Sequence, residues 1–184
     1  MGGSILANSV LYEPAAIKVV IVGDPDPAKK IVAKNCGEAS PVPKESSSFL
    51  VQDFERVSVK LRSTGEIKSY QIWETVGSQD YRMMTASSLK GCAAIIIVCK
   101  VGEDYSFKSL GEWNEFIQAN ATDNPNVSVF ANFTNQSNLD PKSPEFRRSE
   151  MEAIRKFSID AVYPIDTDKP QSIRNVFQQL AECL

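Results

Sequence analysis

An apolar run near the middle of the chain limits the possible folds more than any other feature. Residues 93–99 read AAIIIVC, with no charged or hydroxyl-bearing side chain among them. A strand with one face in water alternates apolar and polar residues, so this run predicts a strand that is buried on both faces. Strands of this kind occur where helices cover both sides of a sheet, and we therefore expect an α/β fold.

Strand patterns alternate with helix patterns along the rest of the chain. Ser143 and Pro144 offer an N-cap and a first helical residue, and Met151, Ile154 and Phe157 follow as the apolar side of that helix. This alternation predicts a mostly parallel sheet. The predicted strands are 17–22, 93–99, 127–133 and 161–165. Two more strands form a hairpin whose turn lies at 63–65. The predicted loop is 37–48, and the other predicted helices are 29–36, 107–117 and a closing helix whose apolar stripe is Ile173, Val176, Phe177, Leu180 and Leu184.

Composition and charge exclude several classes of function. A length of 184 residues fits one domain, which needs no disulfide or metal for stability. The net charge of −3 and the pI of about 5.1 give no electrostatic footprint for nucleic acid or an anionic membrane. Histidine is absent, which excludes His-based acid–base catalysis, Ser–His triads and imidazole metal ligands. The four cysteines lack CxxC spacing, so we expect no zinc site and interpret Cys92 and Cys99 as buried thiols.

Neither end of the chain carries a recognisable membrane signal. We interpret 1–16 as a loose extension or as residues left from expression, and 17–184 as the domain. Leu6 stands where a myristoylation motif needs Ser or Thr, and Cys183 is not placed as in a CaaX box. We expect a cytoplasmic monomer with no membrane anchor in this chain, which meets endomembranes only through partners.

Two motifs resemble those of the Rab branch of the Ras-like small GTPases. Residues 17–24, IKVVIVGD, are similar to the family's first strand and to the start of its phosphate-binding P-loop. Residues 71–77, QIWETVG, resemble the end of the interswitch hairpin and its DTAG motif, and the similarity continues without a gap through Arg82, Thr85 and Trp113. It covers nearly the whole chain after the extension. The resemblance implies a small G-domain of the P-loop NTPase type, with six mostly parallel strands and about five flanking helices.

The P-loop sequence departs from the family pattern. Where GxxxxGK[ST] is expected, the chain reads GDPDPAKK from Gly23. Pro25 and Pro27 have no N–H to offer a phosphate, and Asp26 would place a carboxylate where phosphate oxygens bind. Besides the opening glycine, only Lys29 keeps the residue type that the family uses to bind phosphate. We therefore expect the binding of a nucleotide's phosphates to be weakened.

The groups that hold Mg²⁺ and position water in the family are also replaced. By the resemblance, Lys30 takes the position of the Mg²⁺-binding hydroxyl, and Phe49 that of the threonine that completes the metal's ligands. Glu74 replaces the Asp of DTAG, Gly77 keeps its Gly, and Ser78 stands where a Gln would position the attacking water. One hypothesis is that Lys30 and Glu74 form an ion pair in place of the metal. The alternative is that they are two unrelated surface changes.

Base recognition is altered in the same way. We align the family's NKxD motif with 135–138, so that Asn135 and Asn138 take its Asn and Asp positions; the other register considered is 132–135. An Asp accepts two hydrogen bonds from guanine, whereas Asn138 has a single acceptor and presents an NH₂, so that one donor faces another. Such a mismatch costs about 1–3 kcal/mol, or roughly tenfold or more in affinity. The SAK-like segment aligns with 166–168.

These changes together favour a Rab-like pseudo-GTPase, a protein-interaction module that has largely lost guanine-nucleotide and Mg²⁺ binding. We expect no catalytic residue, no metal site and no cofactor, and a GTPase activity that is absent or very low. The alternative is an atypical Rab-like GTPase of vesicle trafficking, which binds GTP or GDP with Mg²⁺ weakly or through rearranged contacts. The predicted remnant of the nucleotide site comprises Gly23, Lys29, Lys30, Glu74, Gly77, Asn135 and Asn138.

Proteins are the expected partners, through the switch and interswitch surface, and nucleic acid is not. The family's aromatic triad aligns with Phe54, Trp73 and Ser88, so two of its three aromatic residues remain. Exposed aromatic rings can mark a binding patch; in the alternative interpretation, these two pack the hairpin onto a neighbouring helix. Trp113 is interpreted as a core residue.

Overall fold

A seven-stranded sheet forms the centre of the computed structural model, which describes residues 15–39 and 54–184. The strands are β1 (Ile17–Val22), β2 (Glu38–Ala39), β3 (Phe54–Lys60), β4 (Ile67–Glu74), β5 (Ala94–Lys100), β6 (Asn126–Asn132) and β7 (Ala161–Ile165). Their order across the sheet is β2-β3-β4-β1-β5-β6-β7. All neighbours are parallel except for the antiparallel pairs that β3 forms with β2 and β4.

Helices connect the strands and cover both faces of the sheet. The predicted small G-domain of mostly parallel strands with about five helices is confirmed within the described ranges, and the two-residue edge strand β2 adds a seventh strand. None of the helices in these ranges is long and apolar enough to span a bilayer. The helices are α1 (Pro27–Asn35), α2 (Arg82–Ser88), α3 (Leu110–Asn120), α4 (Pro144–Phe157) and α5 (Pro170–Ala181), with a short 3₁₀ turn at Gln79–Tyr81 before α2.

Some predictions concern segments that fall wholly or partly outside the described residues. Only the last two residues of the predicted extension 1–16 are described. The predicted loop 37–48 begins inside the described part, where β2 occupies two of its positions, and its remainder lies outside. Phe49, the predicted counterpart of a metal-binding threonine, also lies outside.

Two hydrophobic cores lie on the two faces of the sheet. β1 supplies Val19 and Ile21 to the core under α1 and α5, and Val20 and Val22 to the core under α3 and α4. The residues of β5 divide in the same way, so the predicted run is buried on both faces from Ala94 to Cys99, while Ala93 precedes the strand and is exposed. Full burial of each such aliphatic side chain contributes about 1.5–3 kcal/mol to folding.

Helix α4 begins as its sequence predicts, and Ile154 and Phe157 of its predicted apolar side pack against the core, but Met151 does not. The Ser143 hydroxyl accepts a hydrogen bond from the Phe146 N–H at 3.1 Å, and Pro144 is the first helical residue. Phe146 and Ala153 carry the buried side, while Met151 is 60% exposed, so its predicted core position is wrong. At about 100° per residue, Met151 lies far around the helix from Phe146, whose aromatic neighbours fix the buried side.

Helix α5 closes the sheet through the predicted apolar stripe. Four of its residues are buried in the core that α5 shares with α1. The fifth, Leu184, lies beyond the end of the helix and is partly buried against the same core. The buried members of the stripe are Ile173, Val176, Phe177 and Leu180.

Candidate functional site

The first turn of α1 is capped by a carboxylate from its own chain. Gly23 directly follows β1, has φ +142 and lies so close to the Val98 carbonyl that a Cβ would be 2.5 Å from its oxygen. The chain then extends to Asp26, whose Oδ1 accepts a hydrogen bond from the Ala28 N–H at 2.7 Å. A helix N-terminus attracts anions because its first N–H groups have no partner within the helix. Here Asp26 already supplies that anion.

Lys29 points inward and is held by the loop that precedes it. Its side chain is buried, and the ammonium donates a hydrogen bond to the backbone carbonyl of Asp24. Burial lowers the pKa of Lys29, while the negative charges of Glu74, Asp26 and Asp24 oppose that change. The lysine that the resemblance assigns to phosphate is therefore engaged by groups of this chain.

The segment after β4 lies directly against the same loop. Both the backbone N–H and the hydroxyl of the buried Thr75 donate to the Ile21 carbonyl, at 3.1 and 2.9 Å. Two residues later, Gly77 has φ +86, and a Cβ built on it would collide with the Gly23 carbonyl oxygen and lie 2.9 Å from the Lys29 Nζ. The two backbones are therefore in contact.

The predicted ion pair between Lys30 and Glu74 is wrong. Lys30 is exposed, and no ion pair within the described ranges joins it to Glu74. Consecutive residues of a helix point in different directions, so α1 turns Lys29 inward and Lys30 outward. The charge of Glu74 acts on Lys29 instead.

The donor set does not fit Mg²⁺. This ion needs oxygen ligands, whereas the position that the resemblance assigns to a metal-binding hydroxyl holds the ammonium of Lys30. In the part of the chain that the structure describes, no three Asp, Glu or Cys residues lie close enough together to hold a metal ion.

Asp24 joins the loop to α3 through its side chain. Its carboxylate accepts hydrogen bonds from the Ser109 hydroxyl at 2.7 Å and from the Trp113 indole N–H at 3.0 Å. Trp113 is fully buried, as predicted, but it is also part of the site, which the core interpretation missed. The need of a buried indole N–H for an acceptor could have signalled this contact. Burial, and secondarily the charge of Asp24, raises the pKa of Cys99 to about 12.

The two asparagines of the aligned base motif lie on the surface. Asn135 and Asn138 are both exposed in the loop after β6, and Asn135 has φ +62. Asn132, the first residue of the other register, is buried at the end of β6, and its Oδ1 accepts a hydrogen bond from the Thr134 N–H at 3.0 Å. The asparagine that is buried and hydrogen-bonded at a strand end is therefore Asn132, which belongs to the other register, 132–135, and not to the aligned register, 135–138.

A polar network joins the loops that follow β6 and β7. The Thr134 hydroxyl lies 2.7 Å from that of Thr167 and donates to Asp166 at 3.1 Å. Lys169 forms an ion pair with Asp166 at 2.8 Å, and this hydrogen bond is the main cause of the lowered pKa of Asp166. A cavity of about 470 Å³ lies beside the network, lined by residues that include Phe133, Asn135, Leu139, Ile165, Asp166 and Lys169.

The structure brings together two of the three residues aligned with the aromatic triad. The rings of Phe54 and Trp73 stack with centroids 5.0 Å apart, and both side chains are half-buried. The ammonium of Lys18 lies 5.0 Å from the centroid of the Trp73 ring. Ser88 is buried, and its hydroxyl donates to the Met84 carbonyl at 3.0 Å. Trp73 also packs against the core under α3 and α4, so the packing interpretation holds in part.

Sequence reasoning missed a set of exposed apolar side chains that follows Trp73 along the chain. Four large apolar side chains are exposed between the end of β4 and the middle of α2, and we call them the switch patch. Met83 and Met84 are adjacent, so a helix cannot bury both on one side, and α2 buries Thr85 and Ser88 instead. The switch patch consists of Val76, Tyr81, Met83 and Met84, which are 54%, 45%, 86% and 52% exposed.

Comparison with known proteins agrees with this fold and with these motifs. A sequence profile of the Ras family matches residues 18–182. The chain is similar to the Ras-related protein Rab-8B of Dictyostelium discoideum, with 27% identity over 69% of this chain and 63% of that protein. It is also similar to two Arabidopsis thaliana proteins, RABD2a (30% identity; 62% of this chain, 55% of that protein) and RABE1d (22%; 90% and 74%). The matched region spans between about half and three quarters of these relatives' length. The chain belongs to the Ras family and is a Rab-like member of it.

Proposed function

We propose that this chain is a Rab-like pseudo-GTPase that acts as a protein-interaction module, with binding of guanine nucleotide and Mg²⁺ largely lost. The cap that Asp26 places on the first turn of α1 carries this proposal. The resemblance assigns this turn to phosphate, and a second anion there would meet the carboxylate's charge at close range. Two anions held this close together repel each other, and the first N–H groups of α1 are the same donors that each would need.

Two further contacts support the proposal. Lys29 already donates one of its three N–H groups to the Asp24 carbonyl and lies near the charges of Glu74, Asp26 and Asp24, so a phosphate would compete with groups of this chain for its ammonium. Gly77 lies against Gly23, so these two segments would have to separate to admit a phosphate between them.

Exposed apolar and aromatic side chains support the interaction role. Phe54 and Trp73 stack with their rings half-exposed, and the switch patch adds four more exposed apolar side chains. Clusters of exposed aromatic and methionine side chains occur at protein-binding surfaces. We propose that a protein binds here to a cytoplasmic monomer, independently of guanine nucleotide, and that contact with endomembranes runs through this partner.

One observation favours a second candidate function. The cavity of about 470 Å³ beside Asn135, Asp166 and Lys169 is large enough for a small heterocycle. An atypical Rab-like GTPase of vesicle trafficking could place a base there and bind GTP or GDP weakly through rearranged contacts. In that case the loop from Asp24 to Lys29 would open when the nucleotide binds.

Nucleotide content separates the two candidates. The protein is purified without added nucleotide, denatured, and the released small molecules are analysed by chromatography, with a nucleotide-binding Ras-family protein carried through the same steps. We expect far less than one nucleotide per chain, and no change in melting temperature with GTP, GDP or Mg²⁺. Stoichiometric GDP or GTP would refute the pseudo-GTPase and support the atypical GTPase.

A further inference from the structure

Four side chains connect the loop after β1 to α2 through the buried indole of Trp113. We call Asp24, Ser109, Trp113 and Arg82 the Trp113 cluster. We propose that this cluster holds α2, and with it Tyr81, Met83 and Met84 of the switch patch, in one fixed arrangement without a nucleotide. The inference deepens the proposed function, on which it rests for the role of the switch patch.

The first part of the cluster fixes α3 to the loop. Each oxygen of the Asp24 carboxylate has its own donor: Oδ2 accepts from the Ser109 hydroxyl at 2.7 Å, and Oδ1 from the Trp113 indole N–H at 3.0 Å. Hydrogen bonds to a carboxylate are stronger than those between neutral groups. Because Ser109 precedes α3 directly and Trp113 lies in its first turn, the carboxylate sets both the position and the rotation of this helix.

The backbone at Ser109 indicates that this contact is maintained against local strain. Ser109 has φ +58, a left-handed conformation that residues other than glycine seldom adopt. Its side chain does not cap α3 but points to Asp24. A serine keeps such a conformation only where surrounding contacts favour it, and the bond to Asp24 is such a contact.

The second part of the cluster carries the connection to α2. The guanidinium carbon of Arg82, the first residue of α2, lies 3.8 Å from the centroid of the Trp113 ring and 4.9 Å from that of Phe116. A cation over the face of an indole is attracted by its π electrons. Donation of the indole N–H to a carboxylate adds electron density to the ring, so the contacts with Asp24 and Arg82 strengthen each other.

The consequence concerns how the switch patch is presented. Met83 and Met84 follow Arg82 directly on α2, and Tyr81 precedes it. Fixing the start of α2 therefore fixes the direction in which these three side chains leave the molecule. A carboxylate of the chain, rather than a bound phosphate, would then determine the arrangement that a partner meets.

Hydrogen exchange of the α2 amides tests this proposal. Arg82→Gln removes the cation, Trp113→Phe removes the indole N–H but keeps an aromatic ring, and Arg147→Gln serves as the control, because Arg147 is exposed on α4. We expect the α2 amides to exchange at least about tenfold faster in Arg82→Gln and in Trp113→Phe, and at the wild-type rate in the control. Unchanged α2 exchange in Arg82→Gln would overturn the proposal.

A second variant keeps the test valid if Trp113→Phe folds poorly. Asp24→Asn keeps the shape of the side chain and removes its charge, so α2 exchange should rise although the hydrogen bonds of the Asp24 side chain go to Ser109 and Trp113. The double variant Asp24→Asn/Arg82→Gln should exchange no faster than Arg82→Gln alone, because both changes break one chain of contacts. Faster exchange in Asp24→Asn confined to α1 and α3 would refute the proposal.

The nucleotide content of the same preparations is measured separately. Bound nucleotide would refute the proposed function, whereas the exchange rates of α2 decide whether the Trp113 cluster holds this helix. A nucleotide-free protein whose α2 exchanges equally fast in wild type and Arg82→Gln would refute the cluster's role alone.

Discussion

The phosphate end and the base end of the remnant nucleotide site differ in how much space they leave for a ligand. At the phosphate end, Asp26 caps α1, Lys29 is bound by a carbonyl of its own loop, and Gly77 touches Gly23. At the base end, Asp166 and its neighbours also bind one another, yet a cavity of about 470 Å³ lies beside them. Under the proposed function, groups of the chain replace the ligand's charge at the phosphate end, while the base end keeps room for a small molecule.

The largest loss of stability is expected when a methyl group is added to Gly77, at the closed phosphate end. Gly77→Ala should lower the free energy of unfolding by about 2–5 kcal/mol, through the strain of a positive φ and a collision with the loop. Gly65→Ala is the control, because Gly65 has φ +74 and nothing within 4 Å of an added Cβ, so that only strain of about 1–2 kcal/mol applies. Denaturant unfolding measures both. Equal losses would contradict a closed phosphate end.

The reactivity of the cysteine thiols also tests whether the phosphate end is closed. Cys36, Cys92 and Cys99 are buried with raised pKa values, and Cys183 is exposed. One thiol per native chain should therefore react rapidly with a disulfide reagent, and the other three at least about 100-fold more slowly. Cys183→Ser should remove the rapid phase. The charge of Asp24 contributes to the raised pKa of Cys99. A rapid reaction of the Cys99 thiol would therefore indicate that the phosphate end opens readily.

A smaller change is expected when the internal anion is removed. Asp26→Ala should cost about 1 kcal/mol of stability, because the first turn of α1 loses its cap. Ser143→Ala is the matched control, since Ser143 caps α4 in the same way and should cost a similar amount. Thermal unfolding at several pH values compares them. An increase in stability for Asp26→Ala alone would mean that the carboxylate is an unfavourable occupant of this position.

The smallest predicted effect on stability comes from Glu182, which belongs to neither end of the remnant site. The exposed Glu182 accepts hydrogen bonds from the Ser63 hydroxyl and from the Arg62 N–H, and chiefly the former lowers its pKa from the ordinary 4.5. A lowered folded-state pKa contributes stability above the unfolded value, and this is lost as the pH falls through the folded one. Wild type should therefore lose slightly more stability than Glu182→Gln below pH 4.5. Parallel acid-unfolding curves would contradict this role.

Local patterns in the sequence predict most of the fold and part of the site. The apolar run of β5 and the stripe of α5 encode which faces are buried, and Asp26 could be foreseen as an anion in the P-loop. The contacts of Asp24 with Ser109 and Trp113 span 85 and 89 residues, so no local pattern reports them. The exposure of Met151 depends on how α4 packs against other elements, which periodicity alone does not reveal.

The central claim is that groups of this chain occupy the place of a nucleotide's phosphates. Calorimetric titration of the nucleotide-free protein with GDP in the presence of Mg²⁺ tests it most directly. We predict no saturable heat, which corresponds to a Kd weaker than about 100 µM. Saturable binding of one GDP per chain with a Kd of about 1 µM or tighter, which is at least about 8 kcal/mol of binding free energy, would contradict the account.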